Sequence, residues 1–338
     1  MMKRVVTGAS GHVGANLVRA LLHQGHSVHA LVHVDTAALA GLDVQTLRGD
    51  VCDLSTLRCA FQGADVVYHL AGQISISQDS GGMLGQVNVE GTRNVVRACL
   101  DCGVRRLIHF SSIHAVTATP PEVPVTESTP LVEDGTEHPS YDQSKALGER
   151  IVAEAVRQGL DAIVLAPTAV VGPHDYRPSY FGQVLLSLAR NRMPLLVSGG
   201  FDWVDVRDVV EATIRAEETA PSGSKYLLSG HWLSLMDVAR LAGDVTGSPV
   251  SCAAVPLPLA RACAPLAEAF CRLTDRTPLF TRYSIEALCQ HRLVSHQKAT
   301  TELAYQPRSF EETLADTYRW FRENGYLPSN AVGGVGQL

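Results

Sequence analysis

Three glycines spaced three apart, Gly8, Gly11 and Gly14, interrupt the chain between a β-rich run and an apolar stripe. The run Lys3 to Thr7 reads as a strand. Gly14 to Gln24 carries Leu17, Val18, Leu21 and Leu22 at helical spacing, and Gly25 suits the end of that helix. In a strand–loop–helix of this kind the first glycine permits a tight turn. The second lets backbone approach a pyrophosphate, and the third lets the helix pack closely on the sheet. The helix N-terminus then offers free N–H groups and a positive dipole end to phosphate. Ser10, His12 and Val13 fill the loop between the glycines and complete a candidate phosphate cradle.

The pattern repeats along the first half of the chain. Ser27–His33, Val44–Leu47, Ala64–Leu70, Arg105–Phe110 and Leu160–Leu165 read as strands, with helices predicted over Val87–Cys102 and Tyr141–Gln158. Alternation of this type predicts a doubly wound parallel sheet, the Rossmann arrangement, covered on both faces. After Pro167 the pattern weakens. Val204–Ala216 returns to strand-then-helix, Lys225–Leu228 reads as a late strand, and Ser234 onward reads as mostly helical. The expected organisation is a dinucleotide domain over 1–172, rejoined by 201–228. A smaller, mostly helical substrate lobe follows from 173–200 and 229–330, with a tail at 331–338. The proline-rich stretch from Pro120 to Pro139 reads as a long loop of the functional or mobile kind.

Composition narrows the function. Hydrophobic residues make up 46% of the 338 residues and charged residues 18%, enough to build a large core. The 28 basic and 34 acidic residues leave a net charge of −6, and basic residues do not cluster, which argues against a nucleic-acid partner. Val250–Phe270 is broken by Pro256, Pro258, Arg261, Pro265 and Glu268, so no transmembrane segment is expected. Its core, Val255–Leu273, reads as a lobe helix in preference to a membrane-touching one. The first strand starts too early to leave room for a signal peptide, and the eight cysteines are scattered. Both features lead to an expectation of a cytoplasmic chain with free thiols. Cys99 and Cys102 read as two positions of one helix. The 13 histidines show no ligand spacing, and no metal is expected.

Tyr141 and Lys145 lie four apart on a predicted helix and therefore share a face. Tyrosine, with a reference pKa of about 10, is a poor acid–base group at neutral pH. An adjacent ammonium is expected to lower that value and let the phenol exchange a proton with a substrate oxygen.

These motifs, taken together, resemble the extended short-chain dehydrogenase/reductase superfamily. The glycine loop has its G-x-x-G-x-x-G spacing. Gly49-Asp50-Val51, His69-Leu70-Ala71-Gly72, Asn88-Val89-Glu90-Gly91-Thr92 and Phe201–Asp208 resemble its later segments in chain order. Within it the chain is most similar to the dihydroflavonol-reductase, 3β-hydroxysteroid-dehydrogenase and sugar-epimerase group. The resemblance implies a third catalytic member, Ser112, with Ser111 as its fallback and cofactor-side neighbour. It implies that Asp50 and Val51 face adenine, and that Leu70, Ala71, Gly72 and Asn88 line the cofactor. Lys145 would bond the nicotinamide ribose, and Pro167, Thr168 and Val170 would face the carboxamide. Ala166 stands where the family commonly has Arg. The family's usual homodimer would pair the two long helices with their copies.

An acid at the end of strand two would select NAD and a cation NADP. His33 occupies that end and Asp35 falls two residues later, so NADP is favoured over NAD. Gln73, Ile74, Ile113, His114, His174, Tyr176, Phe181, Phe201 and Trp203 are expected to line the substrate pocket. The mixture suits a small carbonyl or alcohol of apolar character better than a charged sugar nucleotide. The reading is an NAD(P)-dependent oxidoreductase. The alternatives are a nucleotide-sugar epimerase or dehydratase using the same residues, and a non-catalytic NADP-sensing regulator, against which the intact Tyr141 and Lys145 count.

Overall fold

The computed structural model describes residues 2–75, 82–120, 122–133, 135, 139–247, 250–273 and 281–328. The strands are β1 (Lys3–Thr7), β2 (Ser27–Val32), β3 (Gln45–Arg48), β4 (Val66–His69), β5 (Arg106–Phe110), β6 (Ala162–Pro167), β7 (Ala169–Val171), β8 (Leu195–Val197), β9 (Gly200–Asp205), β10 (Lys225–Leu228), β11 (His231–Ser234) and β12 (Ala253–Val255). The helices are α1 (His12–His23), α2 (Leu54–Phe61), α3 (Gly91–Cys102), α4 (Ser140–Arg157), α5 (Tyr180–Ala189), α6 (Val206–Thr219), α7 (Leu235–Thr246), α8 (Leu257–Leu273), α9 (Arg282–Ala287), α10 (Gln297–Leu303) and α11 (Phe310–Glu323).

Seven parallel strands form the main sheet in the order β10-β6-β5-β4-β1-β2-β3. The chain reverses its direction of travel between β1 and β4. In a doubly wound sheet that switch point opens a crevice at the carboxyl ends of the strands. Alternate side chains leave opposite faces of each strand. Val6, Val66 and Ile108 enter a core with α1 and α6, whereas Val5, Val67 and Leu107 enter one with α2, α3 and α4. Both faces are therefore apolar, which is why these strands read as continuous hydrophobic runs.

Outside the main sheet the chain forms more strand than its sequence suggests. β11, β9 and β7 form a three-stranded sheet, and β12 pairs with β8. These strands are short and lie among prolines and glycines, so their period-two signal is weak. β9 joins β7 and β11, while α6 covers the main sheet and β10 extends it. A third core under the lobe is built around Leu185, Trp203, Val238, Leu314 and Phe321. α2, only eight residues long and capped by the Asp53 carboxylate accepting from the Ser55 N–H, was not foreseen. No helix among the described residues is long and apolar enough to cross a membrane. Ala260 and Ala264 of α8 are buried in the lobe core.

Candidate active site

The glycine loop turns directly over the switch point. Gly8 has φ +67°, and a Cβ there would lie 2.6 Å from the Ala71 nitrogen at the end of β4. A Cβ on Gly14 would collide with the Gly8 carbonyl oxygen. Two constraints from different strands thus converge on one loop. Gly11 caps α1 without a side chain, so the first-turn N–H groups face the crevice with no local acceptor.

A cavity of about 460 Å³ extends from this loop into the lobe. Its wall carries Gly8, Gly11, His12, Val13, Gly14, Leu70, Gly72, Ser111, Ser112, Tyr141, Lys145, Pro167, Thr168 and Val170. β5 ends at Phe110 and delivers Ser111 and Ser112, while the first turn of α4 delivers Tyr141. Ser112 and Tyr141 line the same stretch of this wall, close enough for the Ser112 side chain to favour the phenolate. One turn along α4, the Lys145 ammonium donates to the Phe110 carbonyl at 3.1 Å. A Cβ on Gly72 would come within 3.3 Å of the Lys145 Nζ, so the strand-four glycine makes room for the lysine.

The electrostatics differ from the expectation for the phenol. Burial pushes Tyr141 up to about 12, Asp142 pushes the same way, and Ser112 opposes them. Burial also brings the Lys145 amine down to about 8, which leaves it mostly the ammonium at neutral pH. Tyr141 is therefore a protonated donor at neutral pH in this structure. His114 sits beside it, with Nδ1 3.5 Å from the Asp142 carboxylate. Burial carries Asp142 up to about 7 and His114 down to about 3. Between those values the contact joins two neutral groups, not an ion pair.

The apolar wall comes from the lobe. Phe181, Val184, Met193, Phe201, Leu235 and Leu288 face the cavity, and Ile74 and Ile113 close it from the sheet side. Among the described wall residues Lys145 and Arg177 are the cations besides imidazoles. Tyr283, Gln290 and His291 complete the wall. His291 is held there by its Nε2 against the Val116 carbonyl, 3.2 Å away. Sequence reasoning missed this segment and Asp142. An Asp directly after the phenol was the available signal for the latter; the irregular 288–291 stretch offers none.

Several expected residues lie elsewhere. Trp203 is 1% exposed in the lobe core, with its indole N–H donating to the Leu233 carbonyl at 3.1 Å, so it supports Phe201 without reaching the cavity. His174 and Tyr176 pack against Trp320, at ring separations of 5.7 and 5.0 Å, and the Tyr176 hydroxyl accepts from Arg19. Those contacts turn both rings toward α1 and α11. Gln73 is exposed; its backbone is clamped by the Asn88 amide, which also donates to Ser144. Asn88 thus shapes the crevice wall from behind. The Ala71 N–H donates to the Thr7 hydroxyl at 3.3 Å, and Ser10 is half-buried in the loop. His33 and Asp50 face each other at 3.6 Å on the ends of β2 and beyond β3, next to the buried Val51. Asp35 accepts from the Ala37 N–H through one oxygen, and its other lies 3.8 Å from Arg177.

A crevice at the strand ends, a side-chain-free helix N-terminus and a cavity lined by phenol, amine and hydroxyl define a nicotinamide-dinucleotide enzyme class. The comparisons agree. Residues 4–228 match the model of the NAD dependent epimerase/dehydratase family. The chain belongs to that family, within the extended short-chain dehydrogenases/reductases. Sterol demethylase protein B of Methylococcus capsulatus is 37% identical over 332 residues, covering 96% of this chain and 100% of its own. A putative dihydroflavonol 4-reductase of Synechocystis is 31% identical, covering 95% of both chains. The crystal structure of gox2253 superposes with a TM-score of 0.85 at 32% identity, covering 97% of this chain and 100% of that one. Membership implies a nicotinamide cofactor, and the glycine cradle, the open α1 N-terminus and the space at Gly72 fit one.

Proposed function

We propose that this chain is a nicotinamide-dependent oxidoreductase that interconverts a ketone or aldehyde of largely apolar body with its alcohol. The observation that carries the reading is the meeting of Ser112, Tyr141 and Lys145 on one cavity, beginning at the glycine loop and ending in an apolar wall. When bound, the cofactor supplies or accepts the hydride. Ser112 hydrogen-bonds the substrate oxygen and aligns it with the phenol. In reduction Tyr141, protonated at neutral pH, gives its proton to that oxygen as the carbonyl becomes an alcohol. Lys145 stabilises the phenolate left behind and anchors the cofactor's ribose. Thr168, whose hydroxyl donates to the buried Asp202 at 2.7 Å, holds the segment facing the carboxamide.

NADP(H) is the favoured cofactor in this reading. The strand-two end presents His33, which faces Asp50 at 3.6 Å, and Asp35 two residues on accepts from its own turn and lies 3.8 Å from Arg177, so the first side chain at that end is an imidazole and not a carboxylate. The scarcity of cations in the cavity favours an apolar carbonyl over a nucleotide sugar.

The test is oxidation of NADPH and NADH by the purified enzyme against aromatic ketones, flavanonols, steroids and nucleotide sugars. Turnover of an apolar ketone, faster with NADPH, is the expected result. Activity confined to nucleotide sugars, with cofactor retained unchanged through turnover, would replace this reading by an epimerase or dehydratase.

A further inference from the structure

One buried carboxylate beside the catalytic groups has no part in the chemistry above. Glu149 lies one helical turn past Lys145 on α4, so both leave the same face. It is 5% exposed. Its Oε1 accepts from the Ser111 hydroxyl at 2.6 Å, and its Oε2 from the Lys225 ammonium at 2.7 Å. The three residues sit on α4, just past β5 and at the start of β10. A lone buried carboxylate is costly, and Lys225 supplies its countercharge. A buried ion pair is nonetheless often no more stabilising than apolar packing, so stability alone is a weak reason for this arrangement.

Its position gives a better reason. Ser111 directly precedes Ser112, and Glu149 directly follows Lys145 in the helical stripe. Besides Glu149, α4 carries a second carboxyl near Lys145, Asp142 three residues back, which burial carries up to about 7 and which lies 3.5 Å from His114. Phe110 of β5 offers a carbonyl, and Asn88 an amide oxygen across Gly72. His69 of β4 and His109 of β5 are both held neutral by burial. Tyr141 on the same helix is protonated. Burial drives the Lys145 amine toward neutrality, and Glu149 is the opposing influence among the described residues.

We infer that Glu149 is a positioning residue: anchored by Ser111 and Lys225, its carboxylate keeps Lys145 in the ammonium form and ties the strand end carrying Ser112 to the helix carrying Tyr141. This rests on the reading of Lys145 given under the proposed function. Glu149 touches neither substrate nor cofactor and acts through its neighbours.

The experiment measures Lys145 itself. The enzyme, with no cofactor added, is pulse-methylated with formaldehyde and cyanoborohydride across a pH series, and the Lys145 peptide is quantified by mass spectrometry. Glu149→Gln keeps an acceptor for Ser111 and removes the charge. The pH midpoint of Lys145 reactivity is expected to fall by about one to two units, as two charges a helical turn apart give at an effective dielectric near 20. Lys225→Gln removes the countercharge and is expected to raise the midpoint. Opposite shifts in the two variants are not produced by a merely structural bridge. The alkaline limb of the kcat/KM profile should follow the labelling midpoint. Unmoved midpoints in both variants would overturn the inference even if both lose thermal stability. If Glu149→Gln does not fold, Glu149→Asp, with the charge kept one methylene further back, should give a smaller downward shift, and no shift would overturn the inference. Shifted midpoints in an enzyme that reduces no carbonyl would support the role of Glu149 and sink the proposed reaction instead.

Discussion

The sheet and the lobe furnish the same cavity in different ways. On the sheet side the groups arrive at strand ends or in the first two turns of a helix: Gly8 after β1, Gly72 after β4, Ser112 after β5, Tyr141 and Lys145 on α4. Parallel strands fix these ends in register, and packing on two faces leaves the backbone little freedom. On the lobe side the wall is drawn from α5, β9, α7 and the irregular 288–291 stretch, held by isolated polar contacts such as His291 to Val116. The contrast assigns the two halves different work: the rigid half places reacting atoms, and the half built from loops and short elements shapes what is accepted.

The sharpest way to break this division is Lys145→Met. It should lower kcat by about 10²–10⁴-fold, the range general acid–base catalysis contributes, with a smaller change in substrate KM. Steady-state kinetics read both, and a pure KM effect would move Lys145 out of the chemistry.

Trp203→Ala tests the boundary from the lobe side. A fully buried indole replaced by a methyl should cost about 3–5 kcal/mol of stability in urea unfolding. Trp203→Phe, which keeps most of the packing, should leave the ranking of substrates unaltered because Trp203 does not reach the cavity. A changed ranking with Phe would return Trp203 to the pocket wall.

Gly8→Ala probes the rigid half. The left-handed backbone should cost about 1–2 kcal/mol, and the overlap with Leu70–Ala71 about 1–3 kcal/mol more. Chemical denaturation measures the sum, and titration of cofactor fluorescence should show weakened binding.

A further effect on the rigid half concerns acid. His69 and His114 are brought down to about 3 by burial, and His109 is held well below the usual imidazole value by the same cause. Each is neutral when folded and binds a proton in the unfolded chain below about pH 6.5. The unfolded state therefore takes up more protons in that window, and stability falls as pH drops from about 6.5 toward 3. Thermal unfolding across that range should show a declining midpoint, less steep in His109→Phe.

The same division explains what could be read from the chain. Val5 and Val6 sit on opposite faces of one strand and both are apolar, and Gly8 and Gly14 are required by backbone contacts, so the sheet half leaves its mark residue by residue. Tyr141 and Lys145 stand out for the same reason, as one helix face must carry both. The lobe leaves no such mark. Phe201 and Trp203 are two apart on β9, yet only Phe201 reaches the cavity, and the difference is set by Phe181 and Phe310 packing across distant sequence. His174 and Tyr176 follow a sheet strand closely but are captured by Trp320, far along the chain. The phenol's pKa moves up and not down under burial, the largest influence on it, about which proximity in sequence says nothing.

The most direct test of the division is a side-by-side kinetic comparison of Tyr141→Phe and Phe181→Ala on one apolar ketone. Tyr141→Phe should abolish most turnover with cofactor affinity preserved. Phe181→Ala should raise KM by roughly tenfold or more with kcat largely retained. Turnover surviving in Tyr141→Phe, or a kcat collapse with unaltered KM in Phe181→Ala, would contradict it.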